Sequence, residues 1–172
     1  MKYASLLMLF ALAACGPQGP EPTHTRTWHL EFAPEVADLI PPELVVDELN
    51  KIWAPYCVMF DAYEDDTRTV HIQMAETPPA GLPSEAIGWA AVGGDAFVNA
   101  QPITVYPEYR WPLLLAIVIS HEMGHSYGMP HLSGEKPLNG CDIMYESFWG
   151  ICSDFVWSLE EEAYLYEVIR RD

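Results

Sequence analysis

The chain has 172 residues, enough for one domain with a sizeable core and too few for two ordinary ones. Half of them are hydrophobic and 12% are aromatic, which excludes general disorder. Eight basic against 25 acidic residues give a formal charge of -17, so the chain repels phosphate backbones, which excludes nucleic acid as a partner; the acidity itself reads as a solvated surface.

Lys2, the apolar run from Leu6 to Ala14 and then Cys15 follow an export-processing pattern, and the run is too short to span a bilayer. Leu12, Ala13, Ala14 and Cys15 resemble the bacterial lipobox. That resemblance implies a signal peptide over residues 1–14, a lipid on Cys15, and a protein anchored to the membrane without spanning it. Gly16 after the cysteine, by resemblance to lipoprotein sorting, points to the outer membrane of a two-membrane host; a coincidental lipobox would leave a freely secreted protein. Residues 15–25 are then the lipidated cysteine and a linker rich in Pro and Gly, reaching about 30 Å at roughly 3.1 Å per residue. Residues 26–172 are expected to form a single domain, acting as a monomer.

Thr27 to Phe32 alternates as a first strand, with Trp28, Leu30 and Phe32 on one face. From Pro42 to Trp53, Leu44, Val45, Leu49, Ile52 and Trp53 recur at helical spacing, and Pro55 stops the helix. Val58 to Tyr63 and Thr69 to Met74 read as two more strands, joined by Glu64, Asp65, Asp66 and Thr67 as a solvated hairpin turn; structural calcium at this acidic run is unsupported. Within Gly88 to Asn99, Gly93, Gly94 and Asp95 lead into Ala96, Phe97 and Val98, a short strand entered from a tight turn. Pro112 begins a helix whose stretch Leu113 to Ile119 is apolar on every side, so it should lie centrally in the domain. An irregular stretch from Pro130 to Asp154 follows, and Ser158 caps a last helix from Leu159 to Arg170.

His121, Glu122, Met123, Gly124, His125, Ser126, Tyr127, Gly128, Met129, Pro130 and His131 spell H-E-x-x-H-x-x-G-x-x-H on the second half of that central helix. Residues four apart share a helix face, so His121 and His125 can point at one ion, with Glu122 beside them. His131 would rotate off the face if the helix continued. Gly128 can take a positive φ and Pro130 blocks resumption of the helix, which lets His131 swing back. Three neutral histidines leave Zn²⁺ an open position, where a zinc-bound water is expected to lose its proton to Glu122 and attack a peptide carbonyl. His24, His29 and His71 lack ligand partners at short spacing and read as solvent or strand-packing residues, and the tryptophans read mainly as core.

This motif resembles that of the metzincin zinc endopeptidases, and Cys141, Asp142, Ile143, Met144, Tyr145 resembles their Met-turn. The resemblance implies Met144 as an apolar floor beneath the histidines. Met144 next to Tyr145, and Gly93, Gly94, Asp95 before an edge strand, are similar to the matrixin branch; Leu132, where matrixins usually have Ser, is a departure. Between Cys15 and the first strand there is no space for a propeptide carrying a cysteine switch. Phe148 and Trp149 follow the Met-turn, where metzincins wall a substrate pocket. Cys141 and Cys152 bracket the turn and are expected to pair, fastening the loop by roughly 2 to 3 kcal/mol. Cys57 would remain a buried thiol, and its pairing with either of the others stays open.

The expected fold is α/β of the metzincin-like α+β kind: a twisted mixed sheet with an antiparallel edge strand, two backing helices including the zinc-binding one, and a small C-terminal part ending in a helix. An extended peptide substrate is expected along the edge near Ala96 to Asn99. The rival reading is a zinc-binding envelope lipoprotein with an inactive protease fold; Glu122 speaks against it, because holding zinc needs the histidines and not the base.

Overall fold

The computed structural model describes residues 26–56, 58–61, 68–74, 86–131, 143–144, 161–165 and 167. The expectations for Cys15 and the linker, for Cys57, the acidic run 64–67, Cys141, Phe148, Trp149, Cys152 and the Ser158 cap lie outside these residues.

Strand β1 (Arg26–Phe32) turns Trp28 and Leu30 into the core, where each is 1% exposed. A short helix α1 (Pro34–Ala37) leads into α2 (Pro42–Trp53), the span that its periodicity predicts. The buried stripe of α2 is Val45, Leu49 and Trp53, four residues apart and so on one face. Leu44, expected on that stripe, stands about 100° round the helix from Val45 and is largely exposed. After a 3-10 turn at Ala54–Tyr56, strands β2 (Val58–Asp61), β3 (Thr69–Gln73), β4 (Gly88–Ala90) and β5 (Ala96–Asn99) complete a five-stranded sheet in the order β2-β1-β3-β5-β4.

The hairpin expected between β2 and β3 is not formed. Both run parallel to β1 and flank it on opposite sides. The strands are staggered: Asp61 at the end of β2 and Thr69 at the start of β3 are both level with His29. A chain that moves sideways by two strand spacings at one level covers only about 10 Å, without the long return that fully overlapping parallel strands require. Turn-forming composition marked a reversal or a sidestep equally well.

The segment from Gly88 to Asn99 is a two-stranded antiparallel hairpin rather than a single strand, with Gly93 in its turn at φ 74°. Among the described residues the antiparallel edge strand is therefore β4. Strand β5 is interior, bonded to β3 on one side and β4 on the other.

Helix α3 (Trp111–Ser126) begins with Pro112 in its first turn and is buried without interruption from Leu114 to Ser120, as a helix apolar on all sides must be. It packs on β4, β5 and α2, and α2 packs on β2, so two helices back one face of the sheet. Several buried polar groups inside this layer are paired. Trp53 Nε1–H donates to Ser120 Oγ at 2.9 Å, Ser120 Oγ–H donates to Ala116 O at 2.8 Å, and Trp28 Nε1–H donates to Tyr127 Oη at 3.0 Å. Residues 161–165 and 167 are helical, with Leu165 in the core. Among the described residues no helix is long and apolar enough to cross a membrane.

Candidate metal centre

The second half of α3 carries His121 and His125 on one face, with their Nε2 atoms 3.1 Å apart. The helix then stops in a Schellman turn: Gly128 N–H donates to His125 O at 2.8 Å, Met129 N–H donates to Gly124 O at 2.9 Å, and Gly128 takes φ 88°. That left-handed residue reverses the chain, so that His131 Nε2 lies 3.1 Å from His121 Nε2 and 2.9 Å from His125 Nε2. Among the described residues these three histidines are the only group able to hold a metal ion.

The tautomers follow from the partners. A carbonyl only accepts, so His121 Nδ1–H donates to Ile143 O at 2.7 Å and His125 Nδ1–H donates to Met129 O at 2.8 Å. In the neutral rings Nε2 then carries a lone pair, and two such atoms face each other at 3.1 Å with no proton between them. A cation resolves that opposition. Tetrahedral zinc with Zn–N of about 2.0–2.1 Å separates its donors by about 3.3 Å, so the observed triangle needs only a slight opening. Burial also favours neutral rings. It pushes His121 down to about 4, with His125 and His131 adding to the effect against the Ile143 hydrogen bond, and it lowers His125 as well. The residues present fit Zn²⁺.

Glu122 is 4% exposed, and its Oε2 has no hydrogen-bond partner among the described residues. Burial alone pushes its carboxyl up to about 8. Its neighbour is Gly88 of the edge strand: a Cβ on Gly88 would overlap the Glu122 carboxyl and Cγ. Gly124 is similarly filled from outside, because a Cβ there would overlap Met144 Sδ. Met144 is fully buried and lies against the helix between the two ligand turns, and its backbone N–H donates to Glu161 Oε1 at 2.9 Å. The β4–β5 turn is tied to the helix end: Gly93 N–H donates to Ser126 O at 2.7 Å, and Ser126 Oγ–H to Gly94 O at 2.6 Å.

Sequence reasoning singled out His121, Glu122, His125, His131 and Met144, and the fold brings all five together. The substrate edge expected at Ala96, Phe97 and Val98 is displaced by one strand, since β5 is bonded on both sides. Ala96 and Val98 are fully buried, while Phe97 stacks between His71 (centroids 4.7 Å apart) and Trp89 (5.5 Å), so none of the three presents a free backbone edge. Gly88, Ser126 and Glu161 were missed. An isolated glycine in a strand signals close backbone approach, so Gly88 carried a usable hint; Ser126 and Glu161 act through contacts distant in sequence and carried none.

No family model matches the chain, and no curated protein matches it by sequence. Solved structures do match in fold, and two of them illustrate the likeness. One is archaemetzincin from Methanopyrus kandleri, with a TM-score of 0.63 and 16% identity over 88% of this chain and 99% of that one. The other is a zinc-dependent peptidase from Methanocorpusculum labreanum, with a TM-score of 0.55 and 14% identity over 80% of this chain and 99% of that one. The chain has the fold that these two proteins share.

Proposed function

We propose that this chain is a zinc-dependent endopeptidase of the metzincin type, acting on extended peptide segments. The observation that carries the reading is the convergence of three histidine Nε2 atoms within 3.1 Å of one another, with the Glu122 carboxyl buried beside them. Zn²⁺ held by His121, His125 and His131 would supply a Lewis acid that polarises a peptide carbonyl and acidifies water. Glu122 takes the proton of the attacking water and returns it to the leaving amine. Strand β4 ends the sheet order among the described residues, and its Gly88 lies against Glu122. A peptide that adds to this edge by backbone hydrogen bonds is brought beside the base.

The finer assignments rest on sequence. Gly93, Gly94 and Asp95, with Met144 followed by Tyr145, support a matrixin-like branch. The lipobox at Leu12 to Cys15 supports a lipid anchor on Cys15, in the outer membrane where the host has one, holding a monomeric domain over residues 26–172. Phe148 and Trp149 are assigned to the wall of the substrate pocket, and Cys141 with Cys152 to a bridge that fastens the Met-turn.

The test is cleavage of a mixed peptide library by the soluble protein from residue 22 onward, with and without a zinc chelator, beside Glu122→Gln. Chelator-sensitive cleavage that the variant lacks is expected. Full zinc occupancy without cleavage of any peptide would overturn the endopeptidase reading in favour of a binding role.

A further inference from the structure

We propose that Glu161 is a positioning residue for His121, acting through the single peptide group that joins Ile143 to Met144. The inference rests on the zinc-centre reading and extends it to the C-terminal helical segment.

Glu161 is 2% exposed, an unusual place for a carboxylate without a task. Its Oε1 accepts the Met144 N–H at 2.9 Å. The carbonyl of the same peptide group, Ile143 O, accepts His121 Nδ1–H at 2.7 Å. Carbonyl and N–H belong to one planar, resonance-coupled unit, so a negative charge at the N–H end shifts electron density toward the oxygen at the other. The oxygen becomes a stronger acceptor, which is the cooperative strengthening expected of linked hydrogen bonds in a dry interior. The ring of His121 is thereby oriented, and the lone pair on its Nε2 made more basic toward a cation. Direct carboxylate–histidine pairs do this at metal sites; here a peptide group is inserted between the two.

His125 shows why His121 needs such help. The carbonyl that orients His125 is Met129 O, four residues on and fixed by the Schellman turn itself. The carbonyl that orients His121 comes from a loop 22 residues away. Glu161, 17 residues beyond Met144, anchors that loop by the peptide that matters.

The experiment measures the Zn²⁺ dissociation constant by competition with a chromophoric chelator for the parent protein, Glu161→Gln, Glu161→Ala and Leu165→Ala. Melting of each metal-free form is followed alongside. Gln keeps an acceptor oxygen and removes the charge, so about tenfold weaker binding is expected, approaching ~100-fold for Ala, as for other groups that orient a ligand from behind. Leu165→Ala loosens the same helical segment without touching the peptide; it should lower the melting temperature and leave zinc affinity nearly unchanged. Parent-like affinity in both Glu161 variants would overturn the proposal, and so would a loss in Leu165→Ala as large as that in Glu161→Gln. Should neither Glu161 variant fold, the Nδ1–H resonances of the zinc-loaded parent decide: the His121 proton lying downfield of the His125 proton supports the relay, and equal shifts remove it. A parent that binds zinc but cuts no peptide would end the endopeptidase reading while leaving this inference intact, because affinity is the readout.

Discussion

Gly88 of the edge strand and Glu122 of the central helix are packed so closely that no side chain fits between them. The obstructing atoms belong to the carboxyl that is assigned the proton transfer, so a methyl group at residue 88 must push that carboxyl aside or push the edge strand outward. Gly88→Ala is therefore expected to cut peptide cleavage by at least about tenfold, since ångström-scale misplacement of a catalytic group costs that much or more. Zinc affinity should be unchanged, because the three atoms nearest an added Cβ all belong to Glu122 and not to a ligand. Cleavage rates measured beside chelator competition check both halves. Equal losses in both would mean that the strand supports the metal rather than the base.

Gly124→Ala sets two effects against each other. Alanine favours a helix interior by about 1 kcal/mol over glycine. Its Cβ would overlap Met144 Sδ, however, and Met144 is fully buried with its backbone held by Glu161, so the sulfur has little freedom to retreat. Overpacking at such a site costs about 1–3 kcal/mol and should win. Denaturant unfolding is expected to show net destabilisation, and that increment should vanish when Gly124→Ala is made in a Met144→Ala background, where the added methyl meets no sulfur. A stabilised single variant would remove Met144 from its place under the helix.

Much of this arrangement was legible in the sequence because it is local. Helix α2 could be bounded from its periodicity, and the turn at Gly128 from a glycine and a proline placed where a helix must stop. The three ligands follow from two spacings and that one turn. Strand partnership was not legible. Whether β2 and β3 pair with each other or flank β1 depends on long-range partnership, which no local composition encodes. For the same reason Ala96 to Val98 could be recognised as a strand but not as an interior one. Residues that serve the site from afar, such as Glu161 holding Met144, look in sequence like any acidic helix residue.

Tyr127, just after α3, links the metal helix to the first strand, since its hydroxyl accepts Trp28 Nε1–H at 3.0 Å and the two rings meet edge to face at 5.9 Å. Tyr127→Phe keeps the ring and removes the only acceptor that the indole N–H has among the described residues. Both residues are buried, so the orphaned donor should cost about 1–3 kcal/mol of stability, with little change in cleavage or zinc affinity. Thermal unfolding and tryptophan fluorescence would report it, and a cost below about 0.5 kcal/mol would show that water reaches the indole.

The metal-free protein should respond to pH in a way that separates the base from the ligands. Burial lifts the Glu122 carboxyl from 4.5 to about 8, so between these values the folded chain holds a proton that the unfolded chain has released. Its contribution to stability is complete below pH 4.5 and is lost as pH rises through 8. His121, pushed from 6.5 down to about 4, and His125, also lowered, act in the opposite sense: the unfolded chain binds the extra protons, so their contribution is present above pH 6.5 and lost as pH falls. The two effects oppose each other below pH 6.5. From pH 6.5 to 8 Glu122 dominates the change among these three, and metal-free stability should fall there by about 1.5 kcal/mol. Glu122→Gln, which mimics the protonated carboxyl, should abolish that fall and keep the rise from about pH 4 to 6.5 due to the histidines. Urea unfolding of both chelator-treated proteins at pH 5, 6.5 and 8 checks this, and parallel curves for the two would mean that Glu122 is solvated in the metal-free state.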